Sequence, residues 1–432
     1  MNRQKIANGF LTAALFLLPW QAILLYRMFS LPEGPTVYGN LGVYVVEIFI
    51  ATAFFLRGRP LANLAFKNVV RALFIFFAAC FLSLTYSRVF SISLGWLSHL
   101  VAGGMLFLLI LDDRTNIPHV IHTFLAGLVL PCILGWIQYL TGFSPALTIL
   151  GLAQKHVETG GVAVVATDTF RSLRAYGSFP HPNIFGGYLA LAIVLKGWKG
   201  RIGLKSLKSW QGWVQVLMIA LFTSTLILTF SRGAWLALTI GLVVCLGQAF
   251  WHKRLTPHRA IPLLSIGLIT ILLAISMLHS HILARFNPAL HVEAVSIEER
   301  ASQYQTFGDV FKISPIVGVG PGAYVFALEH ISQGQPSWSY QPIHNAFLLL
   351  LAELGIIGII AFGYFLYELG RSVWEKRKTT GGIFAITLAL ELLILAAFDH
   401  YAFSMWPGIA LVVMVFALSL RFATVDPFHL KQ

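Results

Sequence analysis

The residues of this chain best suited to chemistry stand at corners between apolar runs. In ILTFSRGAWLA (227–237) one apolar run ends at Phe230 and the next begins at Gly233, which leaves a tight reversal with Arg232 at its tip. A permanent cation at such a corner calls for an anion. Arg300 closes the segment SIEER (296–300). In QPIHNAFLLLLAELG (341–355), His344 and Asn345 stand where the chain begins another apolar run. The peptide dipoles at a helix N-terminus disfavour a protonated imidazole, so His344 is expected to be neutral and able to accept a proton as a general base. Asp399, in AFDHYAFSMW, is expected either to orient His344 or to hold a sugar through its hydroxyls, with Tyr401 beside it as a substrate contact. RSLRAYGSFPHPNIFGGYLA (171–190) adds Arg171, Arg174, His181 and Asn183 before a helix start at Pro182 and Asn183. His181 reads as a ligand contact or, more simply, as a polar interfacial residue.

Composition sets the surroundings of these groups. The chain is 57% apolar and 11% charged, with a mean hydropathy of +0.77. A soluble surface cannot be assembled from that mixture, so the expected fold class is an all-α polytopic membrane protein. Cys80, Cys132 and Cys245 all lie in apolar runs, which implies neither a disulfide framework nor a metal site. Met1 to Lys5 and the apolar run behind them mimic a signal peptide but lack a small-residue cleavage site, so they read as the first span.

Twelve apolar segments are predicted: 7–26, 41–56, 69–86, 92–111, 119–140, 183–198, 211–230, 233–251, 261–279, 344–367, 382–398 and 404–420. Alternate connections carry 21 of the 30 Lys and Arg, and the positive-inside rule makes that set cytoplasmic, with both termini. The opposite face holds Arg27, Arg88, Lys155, Arg171, Arg174, Arg232, Arg285, Arg300 and Lys312. Arginine grips phosphate oxygens with a planar fork of donors, so an outer face rich in arginine and poor in lysine points to a phosphate-bearing ligand. Arg27, Arg285 and Lys155 read as solvated loop charges. The net charge of +13 then reflects topology and this ligand, with no nucleic acid implied.

The expected organisation is one integral membrane domain, 1–432, with long outer loops at 141–182 and 280–343. Loops of that length are usually functional. In the second, Ser296 and Glu299 read as a capping box. Ile297, Ala301, Tyr304, Gly308 and Phe311 follow at helical spacing until Ser314-Pro315, an amphipathic helix suited to the membrane surface or the bundle. GVGPGAY (318–324) lacks the GK[ST] of a P-loop. Glu47, His99, Glu353 and Glu391 are the main ionisable residues inside spans, too few to form a polar route across them. This favours an enzyme at the outer face over a proton-coupled transporter.

In order, HPN-GGYLA, SRGAW, ERASQYQTFGDVFKISPIVGVGPGAY, HNAFLLLLAELGIIG and a late DHY resemble the O-antigen ligase and polysaccharide polymerase superfamily. The resemblance covers most of the chain and is strongest from about 175 onward. It implies a metal-independent glycosyltransferase of the GT-C type that needs no cofactor. Such an enzyme moves a glycan from undecaprenyl diphosphate to an acceptor hydroxyl, lipid A–core or another glycan, at the periplasmic face of the cytoplasmic (inner) membrane. It also implies that Arg232 and Arg300 hold the diphosphate, that His344 is the base and that Asp399 is an acidic residue linked to activity. Arg171 and Arg174 have no assured family counterpart. A repeat-unit polymerase, a protein O-oligosaccharyltransferase and a lipid-linked glycan transporter are the alternatives.

Overall fold

The computed structural model describes residues 3–58, 66–199, 209–253 and 257–424. Of the inner-loop cations counted above, Arg59, Arg201, Lys205, Lys208, Arg254 and Lys431 lie outside the described residues. The first helix, α1 (Arg3–Leu17), leads into a hairpin of β1 (Ile23–Leu31) and β2 (Gly34–Tyr44), and α2 (Val45–Arg57) returns. The chain continues through α3 (Lys67–Thr85), α4 (Phe90–Leu111), α5 (Ile117–Gly127) and α6 (Val129–Thr141). Four short strands follow, β3 (Phe143–Ser144), β4 (Lys155–His156), β5 (Val164–Ala166) and β6 (Arg171–Leu173). Then come α7 (Pro182–Lys199), α8 (Trp210–Leu228), α9 (Arg232–Trp251) and α10 (Pro257–Phe286). The last stretch holds α11 (His291–Ile313), α12 (Tyr324–Ile331), α13 (Ala346–Trp374), α14 (Thr380–Phe398), α15 (Tyr401–Ser404) and α16 (Trp406–Thr424).

The molecule is a mostly helical polytopic membrane protein. Among the described residues, nine helical segments are long and apolar enough to cross a bilayer, α5 and α6 counting together as one. The other three expected spans fall on α1, α2 and α7, which are shorter. At about 1.5 Å per residue, α1 and α2 reach only about 20 Å, against a hydrocarbon core of about 30 Å. The apolar run 7–26 is not one helix. It breaks after Leu17, and its tail enters an antiparallel hairpin in which Ile23 faces Tyr44 and Leu31 faces Gly34. The run 119–140 divides into α5 and α6 around Leu128. The fold is helical, as expected, and three small two-stranded sheets accompany the helices.

The long segment 280–343 is also shorter as a loop than expected, because α10 continues to Phe286, with a kink at Leu278. Helix α11 starts at His291, so Ser296 lies inside it and caps nothing. Its N-cap is Leu290, with no side-chain cap, and Asn287 accepts from the Ala289 N–H in the turn just before it. Ile297, Ala301 and Tyr304 of the expected apolar stripe are exposed. The stripe turned inward carries Glu293, Gln303 and Val310, all buried. Glu293 meets the arginines Arg232 and Arg285, while Val310, with Phe307 and Ile313, joins an apolar cluster.

The glycine segment 318–324 has a structural task. Helix α13 breaks at Gly355, at φ +66°, and the exposed backbone pairs with this segment. Val319 and Gly320 donate to the Ala352 and Glu353 carbonyls at 3.0 Å each, and Ile356 donates to Pro315 at 2.9 Å. A Cβ on Gly318 would sit 2.1 Å from the Glu353 oxygen, so only glycine fits. The Glu353 carboxylate accepts from the Gly322 and Tyr324 N–H groups at 2.8 and 3.3 Å, satisfying the start of α12. Glu47 pairs with His99 at 2.6 Å, and Glu391 is fully buried.

Candidate active site

The corner that carries Arg232 takes three residues. Helix α8 ends at Leu228, Phe230 adopts φ +47°, and Ser231 caps α9 by accepting from the Ala234 N–H. A non-glycine residue in that region costs of order 1 kcal/mol, and Phe230 is fully buried where it does so. Arg232 thus occupies the first turn of α9, where the helix dipole already favours an anion.

Beside this corner lies a cavity of about 180 Å³, lined by Ser231, Arg232 and Gly233 of α9, Arg285 of α10, Arg300 of α11, Asn183 of α7, and Asp399 and Tyr401. Arg285, expected to be a solvated charge, is 7% exposed and donates to Glu293 and to the Phe230 carbonyl. Glu293 also lies 3.2 Å from Arg232. Two guanidinium groups that would repel one another therefore share one carboxylate. Of the other two charges read as solvated, Arg27 is exposed and Lys155 stands over the Tyr176 ring at 4.7 Å.

Arg174 is buried behind this wall. Its Nε donates to the Thr229 carbonyl and its Nη2 to the Asn183 side-chain oxygen, at 2.7 Å each. Burial, then Arg285, lower its pKa, yet a guanidinium remains charged at neutral pH. Asn183 turns its amide nitrogen to Asp399 at 2.8 Å, so Arg174, Asn183 and Asp399 form one chain of hydrogen bonds. Four arginines against Glu293 and Asp399 leave two net positive charges around the cavity.

The imidazoles lie on the other side of Asp399. The His344 and His400 rings are 5.1 Å apart, edge to face. His344, His400 and Asp399 each bring a polar atom within 4.8 Å of the others. Burial lowers the pKa of His344, Asp399 opposes that, and Arg300 reinforces it, so the ring is neutral at neutral pH. The Asp399 carboxyl would rise on burial alone, but His400, His344, His181 and the Asn183 amide hold it down at about 2. It is a carboxylate facing neutral rings.

Asp399 does not orient His344; Gln303 does. The Gln303 oxygen accepts from His344 Nδ1 at 2.8 Å and from the His344 N–H at 3.2 Å. This leaves Nε2 as the nitrogen with a lone pair. Gln303 was legible only as the neighbour of Arg300 at i+3 on one helix face. Of the other expected contacts, His181 accepts the Asn183 N–H at the start of α7 at 3.1 Å, and burial, then Arg174, push its pKa down to about 3. Asn345 caps α13, accepting from Phe347 and Leu348. Arg171 is exposed and donates to the Val157 carbonyl at 2.6 Å, away from the cavity. Tyr401 lines the cavity and is buried.

No curated protein matches the chain. Residues 217–363, about a third of the chain, match the family model described as O-antigen ligase, a stretch that carries Arg232, Arg285, Arg300, Gln303 and His344.

Proposed function

We propose that the protein is an O-antigen ligase-like glycosyltransferase that moves a glycan from undecaprenyl diphosphate to a hydroxyl of lipid A–core at the periplasmic face of the inner membrane. The observation that carries this reading is the convergence of Arg232, Arg285 and Arg300 on one cavity next to a neutral histidine. The two net positive charges match the two negative charges of a diphosphate diester. The apolar helices around the cavity suit the prenyl chain.

In this mechanism the three arginines and the N-terminus of α9 stabilise the charge that grows on the diphosphate as the bond from the anomeric carbon to oxygen breaks. A preorganised donor of this kind is worth about 3–4 kcal/mol. The acceptor hydroxyl attacks the anomeric carbon from the opposite face, which inverts it, and its proton passes to His344 Nε2. The electron pair of the broken bond leaves on the diphosphate. Gln303 holds the ring in the required tautomer. Asp399, kept ionised, accepts a sugar hydroxyl or faces the imidazolium as it forms. No nucleotide or metal enters this scheme.

Purified protein incubated with lipid-linked glycan and either lipid A–core or a second lipid-linked repeat tests the reading by mass spectrometry. Mass gained by lipid A–core is the expected result. Mass gained only by the second lipid-linked unit would replace the ligase by a polymerase, and transfer to neither would overturn the enzymatic reading.

A further inference from the structure

His400 has no part in the mechanism above, yet it is 7% exposed and packed against two groups that do. Its Nδ1 is engaged by the Ser404 hydroxyl at 2.7 Å, and the Nδ1 of His344 is engaged by Gln303 at 2.8 Å. Each ring is thereby fixed by an outer partner on one nitrogen, with Nε2 left free. His400 Nε2 lies 3.9 Å from the nearer Asp399 oxygen. That carboxylate accepts one hydrogen bond on each oxygen, from the His400 N–H and from Asn183, both at 2.8 Å, which leaves lone pairs on both.

This is the constitution of a transition-metal site: two imidazoles oriented by outer oxygen partners, and one carboxylate. We propose that His344, His400 and Asp399 bind a divalent transition ion, zinc foremost, and that bound zinc blocks glycan transfer. Two nitrogen donors and one oxygen suit zinc and disfavour magnesium or calcium. In a tetrahedral zinc site the ligands stand about 3.4 Å apart, given bonds of about 2.0–2.1 Å. The present separations, within 4.8 Å, close to that by small side-chain rotations. Of the three ligands, Asp399 also lines the cavity, so the site adjoins it. Because the lone pair on His344 Nε2 cannot hold zinc and take a proton at once, the ion competes with the base.

Binding does not depend on the proposed reaction; inhibition does, since it rests on His344 as the base. Cobalt(II) titrated into the full-length protein in detergent reads binding from its visible ligand-field bands. One equivalent is expected to give the intense bands of a four- or five-coordinate site, abolished by EDTA and by His400→Ala. Should that variant fail to fold, Ser404→Ala keeps all three ligands and is expected to weaken binding by about ten- to a hundredfold through the loss of an outer partner. In transfer assays, zinc at one equivalent is expected to stop turnover and EDTA to restore it, with each variant compared with its own zinc-free rate. Absent cobalt bands, or bands unchanged in both variants, overturn the site. Bands of the expected kind with undiminished transfer in saturating zinc leave the site standing and count against His344 as the base.

Discussion

At Arg232 the direction and number of donors matter more than the charge. Its Nη1 donates to the Arg285 carbonyl at 2.9 Å and faces Glu293, which fixes the fork at the cavity wall. Arg232→Lys keeps the charge and loses the fork, so transfer is expected to fall on the order of a hundredfold; wild-type turnover in that variant would refute the role. The base makes a second prediction. With its pKa below the usual 6.5, His344 is in its active, neutral form at pH 7, so kcat/KM should hold there and fall only as pH drops through the lowered pKa. Gln303→Glu places a carboxylate against Nδ1 and raises that pKa. The acid limb should then move to higher pH with KM little changed, whereas a merely structural role for Gln303 would leave the limb in place. Arg232 and His344 were legible from the chain because each stands where an apolar run begins. Arg285, Glu293, Gln303 and His400 were not, because their meaning comes from partners on other elements. Arg285 read as a loop charge because its helix runs seven residues beyond the expected end at 279.

Among the elements, α11 and the broken α13 do most to place the site. Helix α11 brings Glu293, Arg300 and Gln303 to bear with one polar stripe, while the apolar spacing visible in the sequence turns outward. Hydropathy locates an apolar stripe but does not tell whether it meets the core or the lipid. The same limit hid the β1–β2 hairpin, since ILLYRMFSL reads as apolar whether extended or helical. Its strand β2 packs Tyr38 edge-on to His400 at 5.9 Å, so this element too reaches the site. The kink at Gly355 depends on Gly318, at φ +79°. Gly318→Ala would press a Cβ into the Glu353 carbonyl and is expected to cost more than about 1 kcal/mol, seen as a lowered Tm in detergent. Gly363→Ala, whose Cβ meets nothing within 4 Å, should leave Tm unchanged or raise it. Equal effects would remove the glycine segment from its structural role.

Over the whole molecule the ionic groups gather at two ends. One end joins Arg57, Arg114 and Arg421 to Asp112, Asp113, Asn8 and Thr115. The other holds the cavity and the long loops. Membrane class and the order of the apolar segments followed from composition and hydropathy alone. Among the described residues nine of the twelve expected spans are long enough to cross; α1, α2 and α7 are short, as the apolar runs 41–56 and 183–198 already are in the sequence. The proposed orientation predicts that Ile149→Cys, in the loop between α6 and α7, reacts with an impermeant maleimide added outside intact cells, and that Trp374→Cys, at the end of α13, does not. The reverse pattern would invert the topology. The central claim, that the arginines of one cavity hold a prenyl diphosphate, is tested most directly by native mass spectrometry of the purified protein with undecaprenyl diphosphate and undecaprenyl monophosphate. One diphosphate retained in preference to the monophosphate, and lost in both Arg232→Ala and Arg300→Ala, is the predicted result. Equal retention of both lipids, or of the diphosphate by those variants, would contradict it.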